Sequence, residues 1–533
     1  MSDETKDTGA GAPDASGGRL AISRRGWLKA LVSIPVLGVF AYNYLRKQAK
    51  DDARKQAILD ELKVSESGPA VIPRAVSRPP SRRIRLGIVG YGGEGESLVR
   101  NAGFASPQWL RDATTAHQKD PRNKELEVYL GQDDLNVDLV AVCDLFDHRA
   151  EQAVGASTIP VRPGGARSVP PAKRYRRYTD MLASNDVDAI ICATSDHWHS
   201  RITVDAAQAG KHVYCEKCMT RTEEEALAVH EAVKRTGIVF QLGHQNRQSE
   251  SHNKAKEIIR AGILGPVHLV ESTTNRNSPW GAWVWTILDD SNPRTIDWEQ
   301  FQEPAPHKVP FSLERFFRWR CWYDYGTGLA GDLLSHEYDA VNQVLELGIP
   351  RSCVATGGIY HFKDGRDVPD VFQAAYEYPD RDLTFLYSAT LNSNYDRGLV
   401  MMGKDGAMKV GGTLSVTADY ESRRYRDKIR SGVIDPSQPM FTYRPGFKGI
   451  DAVTSATEQY FASRGLLFTY RGGRRLSPYH LMIKEWLDVI RDGGTTSCNV
   501  DRGFEEAITC HMATRSYQLG RKVEWDPVRR RIV

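Results

Sequence analysis

The sequence predicts an α/β protein in two parts: a parallel-sheet domain, then an α+β domain built on a large, mainly antiparallel open sheet. Three observations carry this. The apolar run Ile84–Val89 leads into a glycine-rich turn and a helix opening over Ser97–Asn101. Short apolar strands and helical stretches then alternate as far as Leu242. Beyond Gly265 the texture changes to longer segments in which apolar and polar residues alternate, as in strands with one buried face.

The elements follow in chain order. At 533 residues the chain is too long for one ordinary domain. Residues 1–22 are rich in Gly, Asp, Ser and Thr and are expected to be disordered. Residues 23–46 hold Arg24-Arg25-Gly26-Trp27-Leu28-Lys29 and the apolar run Ala30–Leu45. This resembles a twin-arginine export signal, which implies the twin-arginine translocation machinery as a partner and a place outside the cytoplasm. With no Ala-x-Ala after the run, the segment is either cleaved or kept as a membrane anchor. Residues 47–83, charged and then proline-rich, read as a linker. The first domain is set at 84–245, with strands at Ile84–Val89, Leu139–Cys143, Ala189–Ala193, Lys211–Cys215 and Val239–Leu242. Helices are expected at Tyr178–Ala183, Arg201–Ala209 and Thr222–Arg235. The second domain takes 246–533, with strands at Val267–Thr274, Cys353–Phe362, Val371–Tyr378, Leu383–Leu391 and Leu399–Met402. Its helices fall at Gly331–Leu347, Pro478–Arg491 and Phe504–Leu519, and its open sheet invites pairing with a second copy of the chain. A net charge of +4 spread along the chain gives no electrostatic reason for a nucleic-acid partner. The eight cysteines sit mostly in apolar runs and read as buried small hydrophobes.

Gly90-Tyr91-Gly92-Gly93-Glu94-Gly95 fits G-x-G-x-x-G between a strand and a helix. The first glycine permits the tight turn, and the second lets backbone approach a pyrophosphate. The third lets helix and strand pack closely, with the helix N-terminus facing the phosphates. The domain is therefore read as a Rossmann dinucleotide-binding domain. Asp144, ending the next strand, is placed to accept bonds from the adenosine ribose, which favours NAD over NADP. It lies too far along the chain for the simple fingerprint, and an insertion over 101–136 restores the spacing.

Further motifs are more specific. Thr194-Ser195-Asp196-His197-Trp198-His199 follows a strand, and Ala209-Gly210-Lys211-His212-Val213-Tyr214-Cys215-Glu216-Lys217 follows a helix. With the glycine loop, Gly331-Asp332-Leu333-Leu334-Ser335-His336 and Gly520-Arg521-Lys522-Val523-Glu524-Trp525, these resemble the Gfo/Idh/MocA oxidoreductases over residues 84–525. The resemblance implies that Lys217 sits near the nicotinamide and the reacting hydroxyl, and that Asp332 and His336 complete the catalytic site. Residues four apart share one helix face, so both side chains can enter one cleft. His336 suits the removal of an alcohol proton. Lys217, partly buried beside a cationic ring, is expected to have a lowered pKa, while Asp332 orients its neighbours.

The expected cofactor contacts are Gly90, Tyr91, Gly92, Gly93, Glu94, Gly95, Asp144, Thr194, Ser195, His197, Glu216, Lys217 and Gln245. Substrate contacts are expected from Arg247, Arg320, Trp322, Tyr325 and His336, with half of the aromatics near 318–325 as readily core. His199 caps or packs, no metal is expected at the D-x-W-H cluster, and Cys218 stands where most relatives have proline. The first reading is an NAD-dependent oxidoreductase acting on a sugar or polyol hydroxyl. An alternative is an NAD-dependent glycosidase working by transient oxidation and elimination, and another is a ligand-binding protein without catalysis. Export favours a closed redox cycle, since a periplasm has no nicotinamide pool to exchange with.

Overall fold

In the computed structural model the chain is described over residues 24–69, 82–165, 169–446, 469–471 and 473–533. The expected disorder of 1–22, Ser23 of the arginine motif and most of the proline-rich spacer fall outside these. Residues Met1–Glu61 make up one compact unit and Leu62–Val533 another. A helix runs over Arg24–Leu62, all but its last residue belonging to the first unit. Among the described residues no helix is long and apolar enough to cross a membrane.

The second unit begins with a six-stranded sheet: β1 Ile84–Val89, β2 Val137–Cys143, β3 Lys173–Tyr175, β4 Ala189–Cys192, β5 His212–Cys215 and β6 Phe240–Leu242. Its order is β3-β2-β1-β4-β5-β6 with every pairing parallel, the doubly wound Rossmann arrangement. Strands buried on both faces should be almost continuously apolar, and β1 and β4 are. β3, three residues with two cations, carried no such signal and was not expected. The helix after β4 starts at Asp196, five residues before the expected Arg201. The helix Glu223–Thr236 is closed by a capping box between Thr222 and Glu225 and by Gly237 at φ +68°. The expected insertion over 101–136 holds two helices, Pro107–Lys119 and Glu125–Leu130.

The second sheet comprises β7 Val267–Asn275, β8 Ser352–Gly358, β9 Val371–Tyr378, β10 Leu383–Thr390, β11 Leu399–Gly403, β12 Gly406–Val410, β13 Leu414–Ala418 and β14 Phe441–Tyr443. The hairpin β15 Thr469–Arg471 and β16 Arg474–Leu476 stands apart, and β17 Val523–Asp526 and β18 Arg531–Ile532 complete the sheet at ten strands. Burial alternates strictly along β10, the mark of one packed and one open face. All its pairings are antiparallel except β7 with β10. Helix Val500–Leu519 packs on the inner face, where Tyr376 Oη donates to Thr509 O at 3.1 Å. The domains interleave, because helix Pro478–Asp492 returns to the first sheet. Trp486 meets Tyr214 edge-on at 5.9 Å, and His480 Nδ1 lies 2.9 Å from Asn101 O.

Candidate active site

The cleft opens where the strand order reverses, between the carboxyl ends of β1 and β4, the switch point at which doubly wound sheets bind ligands. Its volume is about 740 Å³. Gly90 stands at φ +87°, and a Cβ there would come within 2.7 Å of Ala193 O. A Cβ on Gly95 would lie 2.1 Å from Gly90 O, so the turn can be built only from glycines at these two points. Gly92 starts the helix Gly93–Asn101 without a side-chain cap, and space opens beyond Gly93. Uncapped first-turn N–H groups facing a cavity form an anion cradle, so the loop fits a dinucleotide pyrophosphate.

Asp144, at the end of β2, accepts from Tyr91 N at 2.6 Å and Phe146 N at 2.8 Å. The aspartate therefore shapes the loop as well as facing the cleft. Burial pushes its carboxyl up against the pull of Arg149. Arg149, which the sequence reading missed, lines the cleft below Phe146, Phe316 and Phe317, its guanidinium 5.2 to 5.8 Å from the three rings.

Lys217, Asp332 and His336, the expected catalytic residues, all line the cleft. Lys217 Nζ donates to Asp332 Oδ1 at 2.8 Å and to Asp332 O at 3.1 Å. Arg320 Nε reaches the same Oδ1 at 2.8 Å, and Trp283 Nε1 donates to Oδ2 at 2.8 Å. Asp332 lies in a π-turn, Ala330–Leu334, running straight into helix Ser335–Leu345, so His336 follows it into the cleft. Burial alone would raise the Asp332 carboxyl, but Arg320 and Lys217 outweigh it and hold the group well below the ordinary carboxylate range. Burial pulls Lys217 down, and Asp332 more than restores it. The expected lowering of Lys217 is therefore corrected: its partner is a carboxylate in direct contact, and the ammonium is kept. His336 goes the other way, pushed well below the imidazole range by burial and by Lys217, with Nδ1 buried and unpartnered among the described residues.

Glu94, Thr194, Ser195, Glu216 and Gln245 line the cleft with Lys217. Gln245 Nε2 is held by Tyr479 Oη at 3.0 Å, a contact from the returning helix. Burial and the charge of Glu94 push Glu216 well up. Other expected contacts stand elsewhere. Tyr91 does not line the cleft: its side chain is buried, and its backbone N–H donates to Asp144. His197 is sealed behind the wall, with Nε2 2.7 Å from Phe301 O and Tyr325 edge-on at 5.2 Å. Tyr325 is thus core. Trp322 Nε1 donates to Gly365 O at 3.2 Å, away from the cleft. Arg247 is buried in a salt bridge to Asp339, 2.6 Å, and donates to Ser497 O. An arginine or an aromatic ring satisfies a core partner as well as a ligand, and its position in sequence does not say which.

His199 places Nδ1 2.7 Å from Cys218 O and Nε2 3.1 Å from Thr194 O. With Cys192 and Cys215 it forms a group whose ligand atoms lie within 4.8 Å of one another, a soft donor set that the sequence reading did not foresee. Cys218 follows Lys217 through a cis peptide bond.

Two further features were not legible beforehand. Residues 292–325 of the second domain lie across the first as a strap. Asp147 N donates to Thr295 O and Asp297 N to Leu145 O, both at 2.9 Å, with a bridge between Phe146 and Ile296. The strap sets Gln300, Phe301, Phe316 and Phe317 in the cleft wall. The loop after β7 brings in Trp280, Trp283 and Trp285. Trp283 sits at φ +65°, a left-handed backbone that costs a bulky residue about 1–3 kcal/mol, and such strain gathers at functional sites.

Residues 84–244 match the model of the Gfo/Idh/MocA family, described as an oxidoreductase family with NAD-binding Rossmann fold. That segment holds all six strands of the first sheet. The levoglucosan dehydrogenase of Pseudarthrobacter phenanthrenivorans is 28% identical over 191 residues, 34% of this chain and 41% of that protein. The inositol 2-dehydrogenase of Salmonella typhimurium is 32% identical over 130 residues, 24% of this chain and 35% of that one. The matched segment thus spans well under half of these relatives. Among solved structures, levoglucosan dehydrogenase in complex with NADH and levoglucosan aligns over 83% of this chain and 99% of its own, at 16% identity and TM-score 0.54. An oxidoreductase domain protein from Kribbella flavida aligns over the same shares at 18% identity and TM-score 0.54. The two-domain architecture is therefore shared well beyond the segment that matches in sequence.

Proposed function

We propose that this chain is an NAD-dependent oxidoreductase that moves a hydride between a firmly held cofactor and a hydroxyl-bearing carbon of a sugar or polyol. The observation that carries the reading is the contact of Lys217 with Asp332 beside a neutral His336, at the inner end of a cleft floored by the glycine loop. When bound, the nicotinamide supplies the hydride acceptor. Asp332 stays ionised and fixes the Lys217 ammonium through two hydrogen bonds. The ammonium in turn donates to a substrate oxygen and stabilises it as negative charge develops. His336, kept neutral, takes the hydroxyl proton. Arg276 and Arg320 offer donors to further hydroxyls, and the tryptophan faces suit the C–H faces of a sugar ring.

Support for a captive cofactor comes from the strap, which ties the second domain over the nucleotide side of the cleft. NAD is preferred over NADP because Asp144 stands where a 2′-phosphate would approach. The arginine pair Arg24-Arg25 supports export in the folded state by the twin-arginine route, which suits a protein that carries its cofactor with it. The test is to add free sugars and polyols to the purified protein and follow reduced-nicotinamide absorbance. A change with one of them supports the reading. Release of an aglycone without net reduction would point to the glycosidase, and failure to retain any dinucleotide would remove the proposal.

A further inference from the structure

Three tryptophans fall within the six-residue stretch 280–285 of the loop after β7, and they do different work. Trp283 holds Asp332. Trp285 lies on one side of Arg320, 5.1 Å from guanidinium to ring centroid, and Trp319 lies 4.2 Å from the same group. Trp280 does neither. It lines the same cleft, yet it is 72% exposed, and it has no ring or cation partner among the described residues. A large indole left in water forgoes the burial that drives folding, and this one stands on the wall of a ligand-sized cleft, where an aromatic face is open to a bound molecule.

The exposure does not come from a loose loop. Gly281 N donates to Ser278 Oγ at 2.9 Å, Val284 N to Pro279 O at 2.8 Å and Trp283 N to Trp280 O at 3.1 Å. Arg366 Nη2 clamps Ala282 O at 3.0 Å. A Cβ on Gly281 would meet Arg276 at 3.1 Å, so the glycine lets the turn lie directly on that arginine's stem. The indole is presented by a fixed backbone, which lowers the ordering cost of binding against it.

We infer that Trp280 is the stacking platform for a second sugar ring, and that the substrate is therefore a glycoside of two or more rings. The reacting ring lies between Lys217 and His336, and its neighbour extends outward over the indole at the rim. A pyranose fits because one face is C–H and the edge is hydroxyl, matching an indole at the rim of a cleft that Arg276 also lines. The inference rests on the sugar oxidoreductase reading above and adds the size of the substrate to it.

Calorimetric titration of the full chain carrying its cofactor tests it, using glucose against maltose, cellobiose and trehalose, galactose against lactose, and xylose against xylobiose. In whichever series binds, a disaccharide is expected to bind about ten-fold more tightly than its monosaccharide. Trp280→Ala is expected to remove that advantage and Trp280→Phe to keep most of it, with thermal denaturation confirming that both variants fold. Equal affinity for one ring and two, or a disaccharide advantage that survives in Trp280→Ala, overturns the inference while leaving the oxidoreductase reading intact. Absence of binding and of cofactor reduction with every sugar overturns both.

Discussion

At the scale of single residues, the site is a carboxylate surrounded by three donors. Asp332 is saturated by Lys217, Arg320 and Trp283, and His336 is the one imidazole lining the cleft among the described residues. Lys217→Ala and His336→Ala are each expected to lower turnover at least about 100-fold, the scale of a lost proton-transfer group, while dinucleotide stays bound. Steady-state rates alongside bound-nucleotide content would show this, and full activity in either variant would remove the assignment. The pH dependence follows from the directions of the shifts. His336 is held below 6.5 and Lys217 above 10.5, so both keep their working forms between these values. The rate of substrate oxidation should show no acid limb near 6.5, and a limb there would contradict a depressed His336. That Lys217, Asp332 and His336 share one cleft was legible in sequence because each lies in a short local motif. Trp283 was not, since nothing local to it announces a carboxylate 49 residues away.

At the scale of elements, the strap and the last long helix carry consequences of their own. Phe301 packs against His197, Trp298, Phe316 and Tyr325, and its carbonyl receives both His197 Nε2 and Trp198 Nε1. Phe301→Ala should cost about 3–5 kcal/mol, as large aromatic truncations in cores do, and should speed loss of bound dinucleotide on dialysis. Unchanged retention would separate the strap from cofactor holding. On helix Val500–Leu519, Glu506 is fully buried 4.0 Å from His244, and burial together with Asp339 pushes it up to about 8. A carboxyl raised on folding stabilises fully below its unfolded value, near 4.5, and loses that contribution as pH climbs to about 8. Glu506→Gln should therefore flatten the fall in melting temperature over that window, and an unaltered slope would argue against a protonated Glu506. The alternating strands of the second sheet were readable from period-2 patterning, with β9 placed to the residue. The strap was not, because its helices Trp298–Gln302 and Leu313–Phe317 are too short to leave a periodic trace.

At the scale of the whole molecule, the order β3-β2-β1-β4-β5-β6 and the return of helix Pro478–Asp492 bring residues from both halves of the chain to one cleft. Strand-by-strand apolar runs made the first domain legible, while the interleaving of the two domains depends on long-range packing that no local window contains. The proposed route out of the cytoplasm is tested by replacing Arg24 and Arg25 together with lysine, which should hold the protein inside the cell with its dinucleotide loaded. Secretion at the wild-type level would discard the route. The stitch between Phe146 and Ile296 joins points 150 residues apart in sequence. On the proposal of a captive cofactor, so long a circuit makes cofactor uptake a step of assembly: a chain folding beside a supply of dinucleotide would lock it in, and one folding without it would have to unpick its own seam before being charged.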